Sequence, residues 1–420
     1  MPTPQVHVIG AGLAGLAAAV QLADGKRRVT VYEAARQAGG RCRSYFDATL
    51  GMVIDNGNHL LLSGNHTARD FLRDLGSADQ LVGPQNAEFP FFDLKTGESW
   101  RLRPNNGPLP WWIFSPGRRV PGTRARDYLA ALGLLRRHAR QTPVGDVMAC
   151  RGPLYEKLWH PVLLAALNTE PAEGSAALAA AVVRETLAKG GQACRPLVAA
   201  EGLSRAFIEP ALQRLAARGA EVLFDKRLRA LTFAGARVAA LEFSDGAVEL
   251  GAEDSVVLAV SAQVAASLVP DLPTPQNFRA IVNAHFKTTA PEGVPPIIGI
   301  VNATTEWLFS FPDRLSVTIS GADRLIDVGR DELAVKIWAE VARVIGTPHA
   351  PLPQWQVIKE KRATFAATPA EEARRPGSRT AVSNLLLAGD WTATGLPATI
   401  EGALRSGRRA AEEVLRLRGS

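Results

Sequence analysis

The chain has 420 residues, 46% of them hydrophobic and 21% charged, a composition that fits a globular protein and argues against a disordered or fibrous one, and a length that suffices for more than one core. No run of about 18 apolar residues occurs and residues 1–8 carry no basic leader, so neither a spanning helix nor a secretory signal is expected and the predicted location is the cytoplasm. The net charge of +7 suits solubility or an anionic membrane surface, and the three cysteines Cys42, Cys150 and Cys194 are spaced for neither a metal site nor a disulfide framework.

Gln5-Val6-His7-Val8-Ile9 reads as a buried strand and runs into Gly10-Ala11-Gly12-Leu13-Ala14-Gly15. The Ala- and Leu-rich stretch Leu16 to Ala23 predicts a helix, and Arg28-Val29-Thr30-Val31-Tyr32 predicts a second strand ending in Glu33. Strand, glycine turn, helix and second strand make a Rossmann-type βαβ unit. Gly10 permits the tight turn, Gly12 lets backbone approach a pyrophosphate, and Gly15 lets helix and strand pack closely. The amides of Leu13 and Ala14 open the helix, where free N–H groups and the dipole favour phosphate. An acid at Glu33 can bond both ribose hydroxyls and would repel a 2′-phosphate, which argues against NADP.

The next segment is Ala38-Gly39-Gly40-Arg41-Cys42-Arg43-Ser44. A double glycine and an arginine so soon after the ribose acid resemble the FAD-binding signature of the flavin amine oxidase and phytoene desaturase superfamily. The resemblance implies that Gly39, Gly40 and Arg41 face the second side of the pyrophosphate. Arg41 by itself would read as a surface ion pair. The superfamily also places an Asp-x-Gly segment beside the flavin, here Asp55-Asn56-Gly57, extended by Asn58, His59 and Asn65.

Two features mark the middle of the chain. Pro110-Trp111-Trp112-Ile113-Phe114-Ser115-Pro116-Gly117-Arg118-Arg119 clusters aromatics with arginines, and residues 126–140 read as a basic amphipathic helix. Trp111, Trp112 and Phe114 suit a membrane interface, or equally the lining of a core or substrate cavity. Glu201-Gly202-Leu203 leads into Ser204 to Arg218, which with Gly219 to Phe224, a hairpin of Leu228 to Phe233 with Arg237 to Phe243, and Ser255 to Val260 reads as helix, strand, hairpin and strand. The resemblance sets Leu228 against the adenine.

At the C-terminus, Asn384 to Ala388 reads as a buried strand entering Gly389-Asp390, and Thr399 opens a long helix. Gly402, Ser406 and Ala410 share one face, which predicts a close helix–backbone approach there. The same superfamily ends this way. Gly389 and Asp390 are then expected at the ribityl or phosphate region, and Thr399, Ile400 and Glu401 near the isoalloxazine, where helix amides would stabilise reduced flavin. With no cysteine after Cys194, FAD is expected to be noncovalent.

The expected fold is therefore α/β: a discontinuous, GR2-like Rossmann FAD-binding domain of residues 1–59, 196–261 and 356–420, with a substrate-binding domain of residues 60–195 and 262–355. The Asn-Gly-Asn-His segment and the Gly389 to Ala398 run resemble those of the hydroxysqualene dehydroxylase family of hopanoid biosynthesis. The resemblance covers essentially the whole chain and implies reductive removal of the hydroxyl of hydroxysqualene to give squalene. Expulsion of hydroxide needs an acid or strong hydrogen-bond donor. His59 is the titratable candidate, with Asn56, Asn58 and Asn65 to orient it or the alcohol, although a structural role for His59 is equally open. The expected partners are an apolar polyprenoid and, peripherally, the inner face of the cell membrane, with no nucleic acid and no metal. A single dinucleotide fingerprint leaves the electron donor unassigned. A carotenoid-type desaturase or isomerase, an amine oxidase and a non-catalytic flavin-bound scaffold remain alternatives at this level.

Overall fold

Short runs rich in Val, Ile and Leu form a five-stranded parallel sheet in the order Glu221–Leu223, Arg28–Tyr32, Gln5–Ile9, Ser255–Leu258, Leu385–Leu387. The computed structural model describes residues 3–24, 26–139 and 141–417. Met1 and Arg140, at the ends of two segments read from the sequence, lie outside the described residues, as does the tail from 418. Strands this uniformly apolar need cover on both faces, the usual setting of a parallel sheet. The five come from three distant stretches of chain, so the nucleotide layer is assembled from separate pieces.

The helix Leu13–Leu22 packs against the C-terminal helix Ile400–Arg416. The closest approach is at Gly407, where a Cβ would sit 2.2 Å from the Ala14 carbonyl oxygen and 2.9 Å from Ala17 Cβ. The face expected from the sequence, Gly402, Ser406 and Ala410, is buried but is displaced one residue from that contact. The Ser406 hydroxyl instead accepts the Gly389 N–H at 2.9 Å and meets Thr392 Oγ1 at 2.7 Å. The helix and the Gly389–Thr392 turn are thereby tied together.

A second, mostly antiparallel sheet of seven strands runs Trp355–Phe365, Phe278–Phe286, Leu315–Ile319, Trp307–Ser310, Ile297–Val301, Phe89–Asp93, Ser99–Leu102. The helix Arg330–Val344 lays Leu333, Ile337, Trp338 and Val341 on it, at the spacing of one apolar face. Two of the expected boundaries move. Trp355–Phe365 pairs along its length with Phe278–Phe286 and so belongs to this sheet, although 356–420 was allotted to the nucleotide part. Leu61, Phe71 and Leu72 pack in the nucleotide-side core, although residue 60 was to begin the substrate part.

The basic amphipathic helix expected from residue 126 does not form as one element. A 3-10 turn, Ala125–Ala130, leads into a short helix, Ala131–Leu135. Gly133 lies so close to Val147 that a Cβ would meet its carbonyl oxygen at 2.3 Å. The His138 ring then contacts the Gly133 and Leu134 carbonyls at 2.9 and 3.1 Å, satisfying acceptors at the helix end.

Candidate active site

The glycine turn is shaped by contacts that no side chain would tolerate. Gly10 has φ +103° and would place a Cβ 2.5 Å from the Ala259 carbonyl oxygen, while a Cβ on Gly15 would lie 1.9 Å from the Gly10 carbonyl oxygen. Gly12 has nothing within 4 Å of its would-be Cβ, so the side that the pyrophosphate reading requires is open. The double glycine lies against this turn: Gly39 pairs with Gly12 and donates its N–H to the Ala11 carbonyl at 2.8 Å. Gly39 and Gly40 both take positive φ, +110° and +55°, a region that favours glycine. Two glycine segments 24 or more residues apart in the sequence thus form one main-chain cradle.

Glu33 stands at its edge. Its carboxylate accepts the Ala11 N–H at 2.8 Å and the Ala35 N–H at 2.9 Å, which fixes the acid beside the glycine turn. Its carbonyl accepts the Lys226 N–H at 2.8 Å. This brings the segment before Leu228 alongside Glu33, and Leu228 itself is buried at the start of the strand Leu228–Ala234.

Arg41 joins the two termini. Its Nη2 donates to both Asp390 oxygens at 2.7 Å, and its Nη1 donates to the Ala363 carbonyl. The Asp390 charge is the largest influence on Arg41 and raises its pKa further. Asp390 follows Gly389, whose would-be Cβ would meet the Trp391 ring at 2.4 Å.

The turn carrying Asp390 is held by a residue the sequence did not single out. Arg375 is buried and donates to the carbonyls of Asp390 (3.1 Å), Trp391 (3.3 Å) and Thr392 and to Thr394 Oγ1 (2.9 Å). It pairs with Glu372 at 2.5 Å and stacks 4.6 Å from the Phe365 ring centroid. In the sequence Glu371-Glu372-Ala373-Arg374-Arg375 looks like a solvated charge run, and nothing in it marks Arg375 as buried. Its neighbour Glu371 is buried too, accepting from Gln276 N (2.7 Å) and Asn277 Nδ2 (2.6 Å).

The helix opening at Thr399 is capped by its own hydroxyl, which accepts the Gly402 N–H at 3.0 Å. Glu401 turns away from the cradle. Its carboxylate accepts the N–H groups of Thr67 (3.0 Å) and Ala68 (2.9 Å) and pairs with Arg405, which also reaches Glu185. The side chain therefore caps the helix His66–Leu75, and only the main chain of Ile400 and Glu401 is left to offer to a flavin.

The extended segment from Asp55 divides the same way. Asp55 accepts from Ser44 Oγ (2.6 Å) and Leu203 N (2.9 Å), and its pKa is raised by burial. The Asn56 N–H donates to the Arg43 carbonyl at 2.9 Å. The buried Asn58 points its amide into the second sheet, donating to Val317 O (3.4 Å) and Thr318 Oγ1 (3.3 Å), while Asn283 Oδ1 accepts from Asn58 N (3.4 Å) and from Thr318 Oγ1 (2.8 Å). Asn65 Oδ1 accepts the Leu62 N–H at 2.7 Å and closes the turn before the helix. Asn58 Nδ2 and Asn65 Oδ1 thus hold local structure, while Asn58 Oδ1 is buried without a hydrogen-bond partner. His59 is half-buried. Burial, and then the nearby Arg41 charge, push its imidazole down to about 4. It is neutral near pH 7, contrary to the near-neutral titration expected of it, and it can donate one N–H but not act as an imidazolium.

Among the described residues no helix is long and apolar enough to cross a membrane, and no group of His, Cys, Asp or Glu could hold a metal ion. The chain is 57% identical to the hydroxysqualene dehydroxylase of Rhodopseudomonas palustris over 98% of both chains, and 52% identical to that of Sinorhizobium fredii over 98% of both. It superposes on cyclohexylamine oxidase from Brevibacterium oxydans with a TM-score of 0.71 over 99% of each chain at 16% identity, a likeness of fold. A model of flavin containing amine oxidoreductases matches residues 13–415, and the chain belongs to that flavin-dependent family, among its hydroxysqualene dehydroxylases.

Proposed function

We propose that the chain binds FAD noncovalently and reductively removes the hydroxyl of hydroxysqualene to give squalene, as a step in hopanoid biosynthesis. The observation that carries this reading is the 57% identity over 98% of both chains to a hydroxysqualene dehydroxylase. It outweighs the desaturase, amine oxidase and scaffold alternatives, which rest on features shared across the superfamily.

The residues fit an adenine dinucleotide of flavin. Gly10, Gly15 and Gly39 shape the cradle by close main-chain contact, and its open side at Gly12 and Gly40, with the amides of Leu13 and Ala14 at the helix start, would receive a pyrophosphate. Glu33 would hold the ribose hydroxyls, Leu228 would lie at the adenine, and Arg41 with Gly389 and Asp390 would hold the phosphate and ribityl chain. The amides from Thr399 to Glu401 would be offered to the ring edge. Reduced FAD, when bound, would supply both the hydride that replaces the oxygen substituent and the proton with which that oxygen leaves as water.

The protein's own part is to meet the departing oxygen and to keep water out. The alcohol is allylic, so departure of its oxygen leaves a delocalised cation that water would trap. His59, held neutral beside Arg41, offers an N–H to that oxygen as a hydrogen-bond donor. Phe365, under the Arg375 guanidinium, and Trp391, next to Asp390, belong to a buried apolar cluster that would keep water scarce on that side of the site. The test is direct: the protein-bound flavin is released by denaturation and weighed, and the dithionite-reduced holoprotein is given hydroxysqualene. FAD mass and squalene production are expected; FMN, or unchanged alcohol, would refute the reading.

A further inference from the structure

Residues 101–140 contain nine arginines and one acid, Asp127, whereas the remaining 380 residues carry 39 basic and 40 acidic side chains. The whole positive excess of the chain therefore resides in one segment. That segment also carries five of its large exposed apolar side chains: Leu109, Trp111, Phe114, Leu129 and Leu132. Trp111 and Phe114 are 65% and 63% exposed, with ring centroids 6.3 Å apart. Their neighbours are anchored inward. Ile113 is buried, and Trp112 sets its ring perpendicular to Tyr128 at 5.2 Å. That contact brings the Trp111–Phe114 turn beside the Ala125–Ala130 turn and the short helix after it, where Leu129 and Leu132 are one helical turn apart.

The turn is built rather than loose. Asn105 accepts the Trp112 N–H at 3.2 Å and donates to the Leu109 carbonyl at 2.9 Å. Arg119 donates to the Ile113 carbonyl at 2.9 Å, and Arg118 to the Arg103 carbonyl at 2.9 Å. Arg124, Arg126, Arg136 and Arg137 stand exposed around it.

We propose that this surface docks the protein on an anionic lipid bilayer, with Leu109, Trp111, Phe114, Leu129 and Leu132 entering the headgroup and upper acyl region and the surrounding arginines on lipid phosphates. The charge selects the occupant. A second copy of the chain would bring the same arginines against these, which repel. A nucleic acid would pair with the arginines but gains nothing from three exposed leucines, which offer no stacking face. An anionic bilayer satisfies both halves: Trp sits at the headgroup level, aliphatic side chains leave water, and each arginine near the surface adds attraction. The inference rests on this geometry and charge and not on the substrate assigned above. It also divides the two tryptophans, because only Trp111 is free to insert.

The test is flotation of the flavin-loaded protein with vesicles of phosphatidylcholine alone and with added phosphatidylglycerol. Binding is expected to the anionic vesicles, weakened but not abolished at high salt, because insertion is not screened. Trp111→Ser with Phe114→Ser should lower partitioning roughly tenfold or more on both vesicle types, from the lost apolar burial. Arg126→Glu with Arg137→Glu should lower it on the anionic vesicles only. An unchanged flavin spectrum serves as the check of folding, and brominated lipid should quench tryptophan emission of the unaltered chain. Failure of the unaltered chain to bind anionic vesicles or to be quenched would overturn the proposal. So would wild-type binding by the Trp111/Phe114 variant, a dimer that this variant dissolves, or binding to a DNA duplex as tight as to the vesicles.

Discussion

Arg375→Met removes the support of the turn that presents Asp390. The guanidinium donates to three main-chain carbonyls and one hydroxyl within residues 390–394, and its loss leaves the partly buried Glu372 without this partner. At about 1.5 kcal/mol for each lost charge-assisted bond, the order of the turn loses roughly 6 kcal/mol. Water entering the space left by the shorter head group restores part of this. If about two thirds is restored, roughly 2 kcal/mol remains to be supplied when flavin binds, which weakens binding about thirtyfold. The assay is flavin retention, followed by titration of the apoprotein with FAD and by thermal unfolding of both forms. Arg375→Lys, which keeps the charge but cannot reach four acceptors in a plane, should fall between the two. Wild-type flavin affinity in Arg375→Met would refute the claim that this buried arginine positions Asp390.

Gly407→Ala should destabilise the fold by about 1–3 kcal/mol, because its Cβ would lie 2.2 Å from the Ala14 backbone; urea unfolding measures it, and an unchanged midpoint would contradict the packing described. His59→Ala should keep flavin but slow the step that releases the alcohol oxygen, as read in single turnovers of pre-reduced protein. Because burial holds His59 down to about 4, no rate inflection assignable to it is expected between pH 5.5 and 8, roughly, and a His59-dependent inflection near pH 6.5 would count against a neutral donor. His285, fully buried with Nδ1 2.8 Å from Ser316 Oγ, is lowered by burial to about 3. Its folded pKa lies below its unfolded value, so its contribution is complete above about pH 6.5 and is lost as pH falls. This makes the fold roughly 2 kcal/mol less stable at pH 5 than at pH 7, a difference that His285→Gln should shrink in unfolding titrations. Acid precipitation should send all yellow colour into the supernatant, and colour in the pellet would mean a covalent flavin.

The parts of the site that sequence makes legible are those where backbone conformation dictates residue type. Gly10, Gly15, Gly39 and Gly40 are read directly because positive φ or contact with another main chain admits little else, and Glu33 follows from its place at the end of a strand. Side-chain direction is not written in the same way. Glu401 lies within the flavin motif yet caps another helix, and Asn58 lies beside His59 yet serves a sheet formed by residues more than 200 positions later. Arg375 is silent because a buried arginine and a solvated one look alike until the carbonyls around it are known. The Trp111-Trp112 pair shows the same limit: neighbouring, identical residues have opposite fates, since Tyr128 covers Trp112 while Trp111 is 65% exposed. Patterning likewise predicts one helix from residue 126, where the chain forms a 3-10 turn and then a short helix whose Gly133 lies against the Val147 carbonyl.

The central claim is that reduced flavin in this fold drives removal of the hydroxyl from hydroxysqualene. A single anaerobic turnover tests it most directly: protein with its flavin fully reduced is mixed with excess hydroxysqualene, and flavin absorbance and products are followed together. The account predicts that flavin reoxidises with formation of one squalene per flavin, and that oxidised protein given the same alcohol shows no reaction. Flavin that stays reduced, or oxidised flavin that is bleached by the alcohol while a more unsaturated product forms, would contradict it.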